Sequence, residues 1–307
     1  MTDIAIEIQG LRKTYGELVA LAGLSLAVAR GEVFALLGPD GAGKTTTMRL
    51  LAGILAPSGG SARVLGLDVF RQAEGLKRRI GYMPQRFALY GDLTVAENLR
   101  FFASIYGVPR AERLAREAEL LEFSRLGPFR DRLAMYLSGG MKQKLALACT
   151  LMHSPEVLFL DEPTAGVDPV SRREFWRILY RLAGQGVTLF LSTPYMDEAE
   201  RCARVAMLDR GGLALCGTPG ELKAGLRGAI LEVIAEPPRE AKARLAALPG
   251  VRDVHIFGER LHVWLETPDA EATVAAALDG LTLIALRRIA PGLEDVFNAL
   301  AAGEGEA

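Results

Sequence analysis

GPDGAGKT, residues 38–45, decides how the rest of this chain reads. It matches G-x-x-x-x-G-K-[ST], follows the apolar run VFALL (33–37), and opens a helical pattern with Met48, Leu51, Ala52 and Leu55 on one face. Glycine is needed because backbone N–H groups must wrap inward around a phosphate. The helix start behind the loop adds partial positive charge. Gly38, Pro39, Asp40, Gly41, Ala42, Gly43, Lys44, Thr45 and Thr46 therefore form a candidate nucleotide-binding stretch. In it Lys44 would reach the terminal phosphates and the Thr45 hydroxyl would take Mg2+. PSGG (57–60) is expected to end the helix.

Downstream, VLFLDEPT (157–164) puts Asp161 and Glu162 at the end of a buried strand. Asp161 suits Mg2+ held through water, and Glu162 suits a general base polarising an attacking water. LSGGM (137–141) stands before another helix, so Ser138, Gly139 and Gly140 offer a hydroxyl and backbone N–H groups at a helix start, a second phosphate-binding surface. With VTLFLS (187–192), these apolar runs alternate with helical patterns, which predicts an α/β fold with a largely parallel sheet. The stretch 93–152 differs and reads almost wholly helical, with a capping box at Thr94 and Glu97 and a second helix over 110–123. It predicts a helical subdomain at about 87–153 inserted into the α/β core.

After about residue 225 the pattern becomes strand (229–235), helix (238–248), hairpin (251–257 and 260–266), helix (268–278) and strand (282–289). That order, βαββαβ, predicts a small ferredoxin-like α+β domain closed by a helix over 293–301. The expected domains are thus 1–225 and 226–307.

Composition narrows the partners. The 307 residues are 50% hydrophobic and 24% charged with a formal net charge of −1, so there is no electrostatic footprint for nucleic acid. The basic group Arg71, Lys77, Arg78, Arg79 and Arg86 reads as a solvated face or a docking surface. Cys149, Cys202 and Cys216 are odd in number, lack metal-knuckle spacing and sit among apolar residues, so buried reduced thiols of a cytosolic protein are expected. The N-terminus MTDIAIEIQG has no signal-peptide pattern, and no apolar run is long enough to span a bilayer. Service to a membrane would come from the water side.

Taken together, these segments resemble the ATP-binding-cassette (ABC) ATPases over about residues 4–222, in the family's order. GPDGAGKTT is similar to the Walker A motif, FLDEP to Walker B with its catalytic glutamate Glu162, and LSGGM to the family signature, whose Ser138, Gly139 and Gly140 face the opposing ATP. The resemblance implies further roles. Gln85 in YMPQ stands at the Q-loop position that contacts Mg2+ and senses the membrane partner, so the implied metal set is Thr45, Gln85 and Asp161. Asp168 in AGVDP matches the D-loop, and Tyr15 in LRKTYG the aromatic that stacks on adenine. PGLEDVF (291–297), LSGGMKQKL and YMDEAERC are similar to the single-cassette subunits of ABC-2-type exporters, including the daunorubicin-resistance type.

The resemblance implies an ATPase with ATP and Mg2+ as cofactors, peripheral on the cytoplasmic face of the cell membrane. It would drive a transmembrane permease on a separate chain by ATP-dependent dimerisation, as a homodimer or a heterodimer with another cassette. Phe87, Leu89, Tyr90 and Leu93 are the expected apolar lining of the permease groove. Two departures stand out. Asp40 replaces the commoner asparagine. In STPYMDEAE (192–200), Pro194 takes the H-loop position of a histidine that links the γ-phosphate to the glutamate, and proline has neither a side-chain donor nor an N–H. Two readings stay open: a slow site, or one where Tyr195 or Thr193 supplies the hydroxyl. With a slow site, the chain is a weakly hydrolysing or regulatory cassette, or the degenerate half of a heterodimer.

Overall fold

A computed structural model describes residues 3–86, 89–266 and 271–301, for Ala301 the backbone alone. Phe87 and residues 268–270 of the expected 268–278 helix lie outside the described residues. Two compact units divide between Thr218 and Pro219.

In the first unit a six-stranded sheet runs in the order Gly212–Gly217, Arg204–Asp209, Val33–Leu37, Thr188–Thr193, Val157–Asp161, Ile80–Met83. All neighbours are parallel except the first pair. A parallel sheet is covered on both faces, which is why VFALL and VLFLD read as unbroken apolar runs, and every residue of both is buried. Phe34, Phe190 and Phe159 form an aromatic ladder across three adjacent strands, with centroids 5.4 and 5.8 Å apart. The functional loops leave the carboxyl ends of the central strands, so one end of a rigid layer positions them.

A second sheet was not legible in the sequence. It is antiparallel, ordered Leu18–Ala29, Ile4–Tyr15, Gly59–Val64, Leu67–Asp68. Register shifts between Ile8 and Leu11 and between Lys13 and Thr14 break the two-residue alternation that would have announced it. The helix after the phosphate loop is also shorter than expected, Lys44–Leu51. Gly53, at φ 67°, ends it in the left-handed conformation and donates its N–H to Leu50 O at 3.1 Å. Leu55 still packs on the core but from outside the helix, and PSGG leads into the Gly59–Val64 strand rather than capping anything.

The helical subdomain is present as Val95–Ile105, Arg110–Phe123 and Gly139–Thr150, with 3-10 turns between the second and third of these helices. The capping box holds: Glu97 N donates to Thr94 Oγ1 at 3.2 Å and Thr94 N to Glu97 Oε2 at 2.8 Å. One expectation fails at Cys216, which is exposed on the edge strand, while Cys149 and Cys202 are buried.

The second unit has the predicted βαββαβ order, with strands Ala229–Glu236, Val251–Phe257, Arg260–Leu265 and Thr282–Ile289. Its sheet order places the second strand at one edge and the fourth at the other, the ferredoxin-like arrangement. Helices Pro238–Ala246 and Glu271–Ala277 contribute Leu245 and Val274 to a core with Leu231, Val233, Leu261 and Val263. On the opposite face, Glu232 is clamped by Arg260 at 3.0 Å and Arg287 at 2.6 Å. Burial pushes the Glu232 carboxyl up, but the two guanidinium groups outweigh it and hold it below the usual carboxylate range. The helix Pro219–Ala224 packs with Leu293–Ala301 inside this unit, which is why the division precedes the expected 225/226 boundary.

Because each unit has its own core, a chain ending at Thr218 should stay soluble and melt in one cooperative transition. Thermal unfolding followed by circular dichroism checks this, and an insoluble or unstructured fragment would show that the cores depend on one another.

Candidate functional site

The phosphate loop is shaped by three glycines with positive φ: Gly38 at 156°, Gly41 at 83° and Gly43 at 101°. At Gly43 a Cβ would also sit 2.6 Å from Ala20 O, so glycine is required there by both conformation and space. That contact places the Ile4–Tyr15/Leu18–Ala29 hairpin beside the loop. Tyr15 stands at its turn, 46% exposed, with the Lys13 ammonium 5.0 Å from its ring centroid. Asp40 is exposed.

Lys44 is only 5% exposed, and its ammonium donates to Gly38 O at 2.8 Å and Pro39 O at 3.0 Å. It thus spans the loop from inside and lies 3.8 Å from Glu162 Oε1. Thr45 donates its hydroxyl to Asp161 Oδ1 at 3.1 Å, and Ser192 donates to the same oxygen at 2.6 Å. The other oxygen, Asp161 Oδ2, is buried without a hydrogen-bond partner. A buried carboxylate oxygen without a donor is costly unless a cation faces it. With the Thr45 hydroxyl beside it, this oxygen donor set fits Mg2+, a hard cation that takes oxygen ligands.

Glu162 adopts φ 48°, a left-handed conformation rare outside glycine. Its N–H donates to Ser192 Oγ at 3.0 Å, and its Oε2 accepts from Gln85 Nε2 at 2.8 Å. Three distant segments therefore converge on Glu162: the phosphate loop through Lys44 and the end of the Ile80–Met83 strand through Gln85 meet its carboxylate, and the Thr188–Thr193 strand through Ser192 holds its backbone N–H. Sequence reading missed Ser192. A hydroxyl at the end of an apolar strand next to an acid-bearing strand was the available signal.

Ser138 caps the Gly139–Thr150 helix, accepting from Met141 N at 3.3 Å, and Ser138 and Gly139 are exposed. Gly140 is buried, and a Cβ there would meet Ser171 at 2.5 Å. Ser171 N donates to Asp168 Oδ1 at 2.9 Å, as does Val170 N at 3.0 Å, so Asp168 caps the Pro169–Gly184 helix. The hydrogen bonds with Ser171 hold the Asp168 carboxyl below its ordinary range. The signature turn and the D-loop are thereby one packed unit, presented outward. Lys144 pairs with Glu174 between the same two helices.

Pro194 is exposed just past the Thr188–Thr193 strand. Of the two hydroxyls that could replace the absent imidazole, that of Thr193 is fully buried and donates to Glu198 Oε2 at 2.8 Å, so it is committed inward. The Tyr195 ring lies against the Arg172 guanidinium, 4.3 Å from its centroid.

Of the residues expected to line a partner groove, Phe87 lies outside the described residues, and Leu89, Tyr90 and Leu93 do not line the groove beside the helical subdomain. Tyr90 packs edge-on against Phe101 at 4.4 Å, and its backbone is held by Asn98. The groove runs instead between the helical subdomain and the sheet unit, lined by Ile54, Tyr82, Ile105, Tyr106, Val108 and His153. Ile54 and Ile105 are more than half exposed, and His153 stacks on Tyr106 at 3.8 Å. Burial holds the His153 imidazole below its ordinary pKa.

Comparison with known proteins follows the same lines. Residues 21–165 match the family model described as "ABC transporter". The probable multidrug ABC transporter ATP-binding protein YbhF of Escherichia coli K12 is 44% identical over 99% of this chain, which spans 53% of that relative's length. The daunorubicin/doxorubicin resistance ATP-binding protein DrrA of Streptomyces peucetius is 43% identical over 80% of this chain and 76% of its own. Among solved structures, cbiO1 of Clostridium perfringens, described as part of the ABC transporter complex cbiONQ, superposes with a TM-score of 0.67. It is 30% identical, with 73% of this chain and 92% of that one covered.

Proposed function

This chain belongs to the ABC transporter ATP-binding proteins, and from that premise we propose that it is the ATP-hydrolysing subunit of an ABC-2-type exporter, driving a transmembrane permease on another chain. The observation that carries the reading is the convergence at the strand ends. Lys44, Thr45, Asp161, Gln85, Ser192 and Glu162 form one connected cluster in which Asp161 Oδ2 alone is buried and undonated.

Lys44 and the inward N–H groups of the loop bind the β- and γ-phosphates. Thr45, Asp161 and Gln85 would hold Mg2+, which would supply positive charge to the phosphate oxygens when bound. Glu162 accepts a proton from the attacking water, oriented by Gln85 and by its own backbone bond to Ser192. Ser138 and Gly139 are exposed at the start of their helix and, with the N–H of Gly140 behind them, complete the phosphate site of an opposing cassette, a copy of this chain or a related one. Relatives whose names include multidrug transport and daunorubicin resistance support the exporter branch. Among the described residues no helix is long and apolar enough to cross a membrane. The groove bearing Ile54, Ile105 and Tyr106 is the proposed seat of the permease, on the cytoplasmic face.

Pro194 favours a second element of the reading: turnover at this chain's own site is slow. The Thr193 hydroxyl is turned inward, so a direct replacement for the histidine is absent on that side. Losing one such donor typically costs about 10²–10³ in rate. Pro194→His should therefore raise steady-state ATPase by about tenfold or more, with ATP affinity within about twofold, as phosphate release and nucleotide titration would show. An unchanged rate, with a large loss in Tyr195→Phe, would instead mark Tyr195 as the substitute.

A further inference from the structure

The Glu198 side chain is 1% exposed, and although it lies within the STPYMDEAE segment it has been given no role above. It accepts from the hydroxyl of Thr164, from Thr193 Oγ1 at 2.8 Å and from Trp176 Nε1 at 3.3 Å, and Arg172 Nε lies 3.6 Å away. These partners come from three segments next to the reactive groups. Thr164 is two residues past Glu162. Thr193 directly precedes Pro194, and its hydroxyl also accepts Tyr195 N at 3.0 Å. Trp176 and Arg172 are on the helix that Asp168 caps. The Arg172 guanidinium extends the net to the Tyr195 ring.

We propose that Glu198 is a positioning residue for ATP hydrolysis: its buried carboxylate ties the Glu162 loop, the 193–195 turn and the D-loop helix into one body, setting the register of Glu162. This rests on the hydrolytic reading given above. The physical case is one of geometry. Glu162 sits in an unfavoured left-handed conformation that its surroundings must hold. Pro194 brings neither an imidazole nor an N–H to brace it. Ser192 fixes the backbone on one side of Glu162, and the link from Glu198 through Thr164 fixes the loop on the other. A buried carboxylate shared by three donors is an over-determined joint, which is what near-attack alignment needs.

The joint can be loosened without unfolding the protein. Thr193→Val and Thr164→Val keep the side-chain shape and each delete one donor to Glu198, and Glu198→Gln keeps the volume while removing the charge. For each, kcat and KM for ATP, direct ATP affinity and the melting temperature are measured beside the wild type. The expected result is a fall in kcat of about tenfold to a hundredfold in both threonine variants, with ATP affinity within about twofold and a cooperative melting transition retained. Glu198→Gln falls between wild type and these, since its amide still accepts from one hydroxyl. Folded threonine variants with wild-type kcat overturn the proposal, as does an equal loss of kcat and ATP affinity, which would mark a general distortion. If either threonine variant fails to fold, Glu198→Gln decides: a wild-type kcat in it overturns the proposal. A wild type that binds ATP without turning it over overturns the hydrolytic reading itself and this one with it. Wild-type turnover with unaffected variants overturns this one alone.

Discussion

Glu162→Gln is expected to lower steady-state phosphate release by about 10²–10⁴-fold while leaving ATP affinity near that of the wild type. The substitution keeps the side chain's length and one acceptor oxygen for Gln85 Nε2, now 2.8 Å from Glu162 Oε2. What it removes is the basic oxygen that would take the proton of the attacking water. Its neighbour Asp161 keeps both links, to Thr45 and to Ser192, so the metal-binding corner is undisturbed. ATP should then persist on the protein and stabilise the closed pair of cassettes, because the step that releases them is blocked. Phosphate release measured beside equilibrium nucleotide binding separates the two effects. Equal rates in variant and wild type would mean that the proton goes elsewhere.

Lys44→Ala is expected to act earlier, on binding. In the present arrangement the Lys44 ammonium is buried and satisfied by two loop carbonyls, at Gly38 and Pro39. Its stem leaves the start of the Lys44–Leu51 helix, next to the N–H groups that face phosphate. Hydrogen bonds to charged groups are each worth about 1.5–3 kcal/mol. Losing the contacts to two phosphates should therefore weaken ATP binding by about a hundredfold or more. Turnover would fall with it at any practical ATP concentration. Titration with ATP and Mg2+ checks this, and a variant that retained wild-type affinity would show that the loop does not hold the nucleotide.

The parts of this molecule that could be read from sequence are those where one local pattern fixes both structure and chemistry. Buried parallel strands give unbroken apolar runs, so VFALL and VLFLD announced the sheet, and the glycines, Lys44 and the acids at their ends announced the site. The second unit was legible for a similar reason, since a turn at Gly258 and Glu259 separates two clear strands. What escaped was structure made by pairing or by distance. The antiparallel sheet of Ile4–Tyr15 and its partners carries register shifts that scramble its alternation. Glu198 meets residues 34 and 22 positions away, and no spacing rule brings Thr164, Trp176 and Glu198 together before the fold is known. The groove beside the helical subdomain was hidden likewise. Its lining joins Ile54 to Ile105 and Tyr106, a segment far along the chain that no spacing rule brings to Ile54 before the fold is known.

The central claim is that this chain takes up ATP with Mg2+ at the Lys44–Thr45–Asp161 cluster and cuts it with Glu162. The most direct test is a single titration of the purified wild-type chain with ATP, with and without Mg2+, following bound nucleotide and released phosphate together. The account predicts saturable binding of one nucleotide per chain and phosphate release that requires Mg2+ and continues slowly, as Pro194 demands. Absence of saturable ATP binding, or phosphate release indifferent to Mg2+, would contradict it.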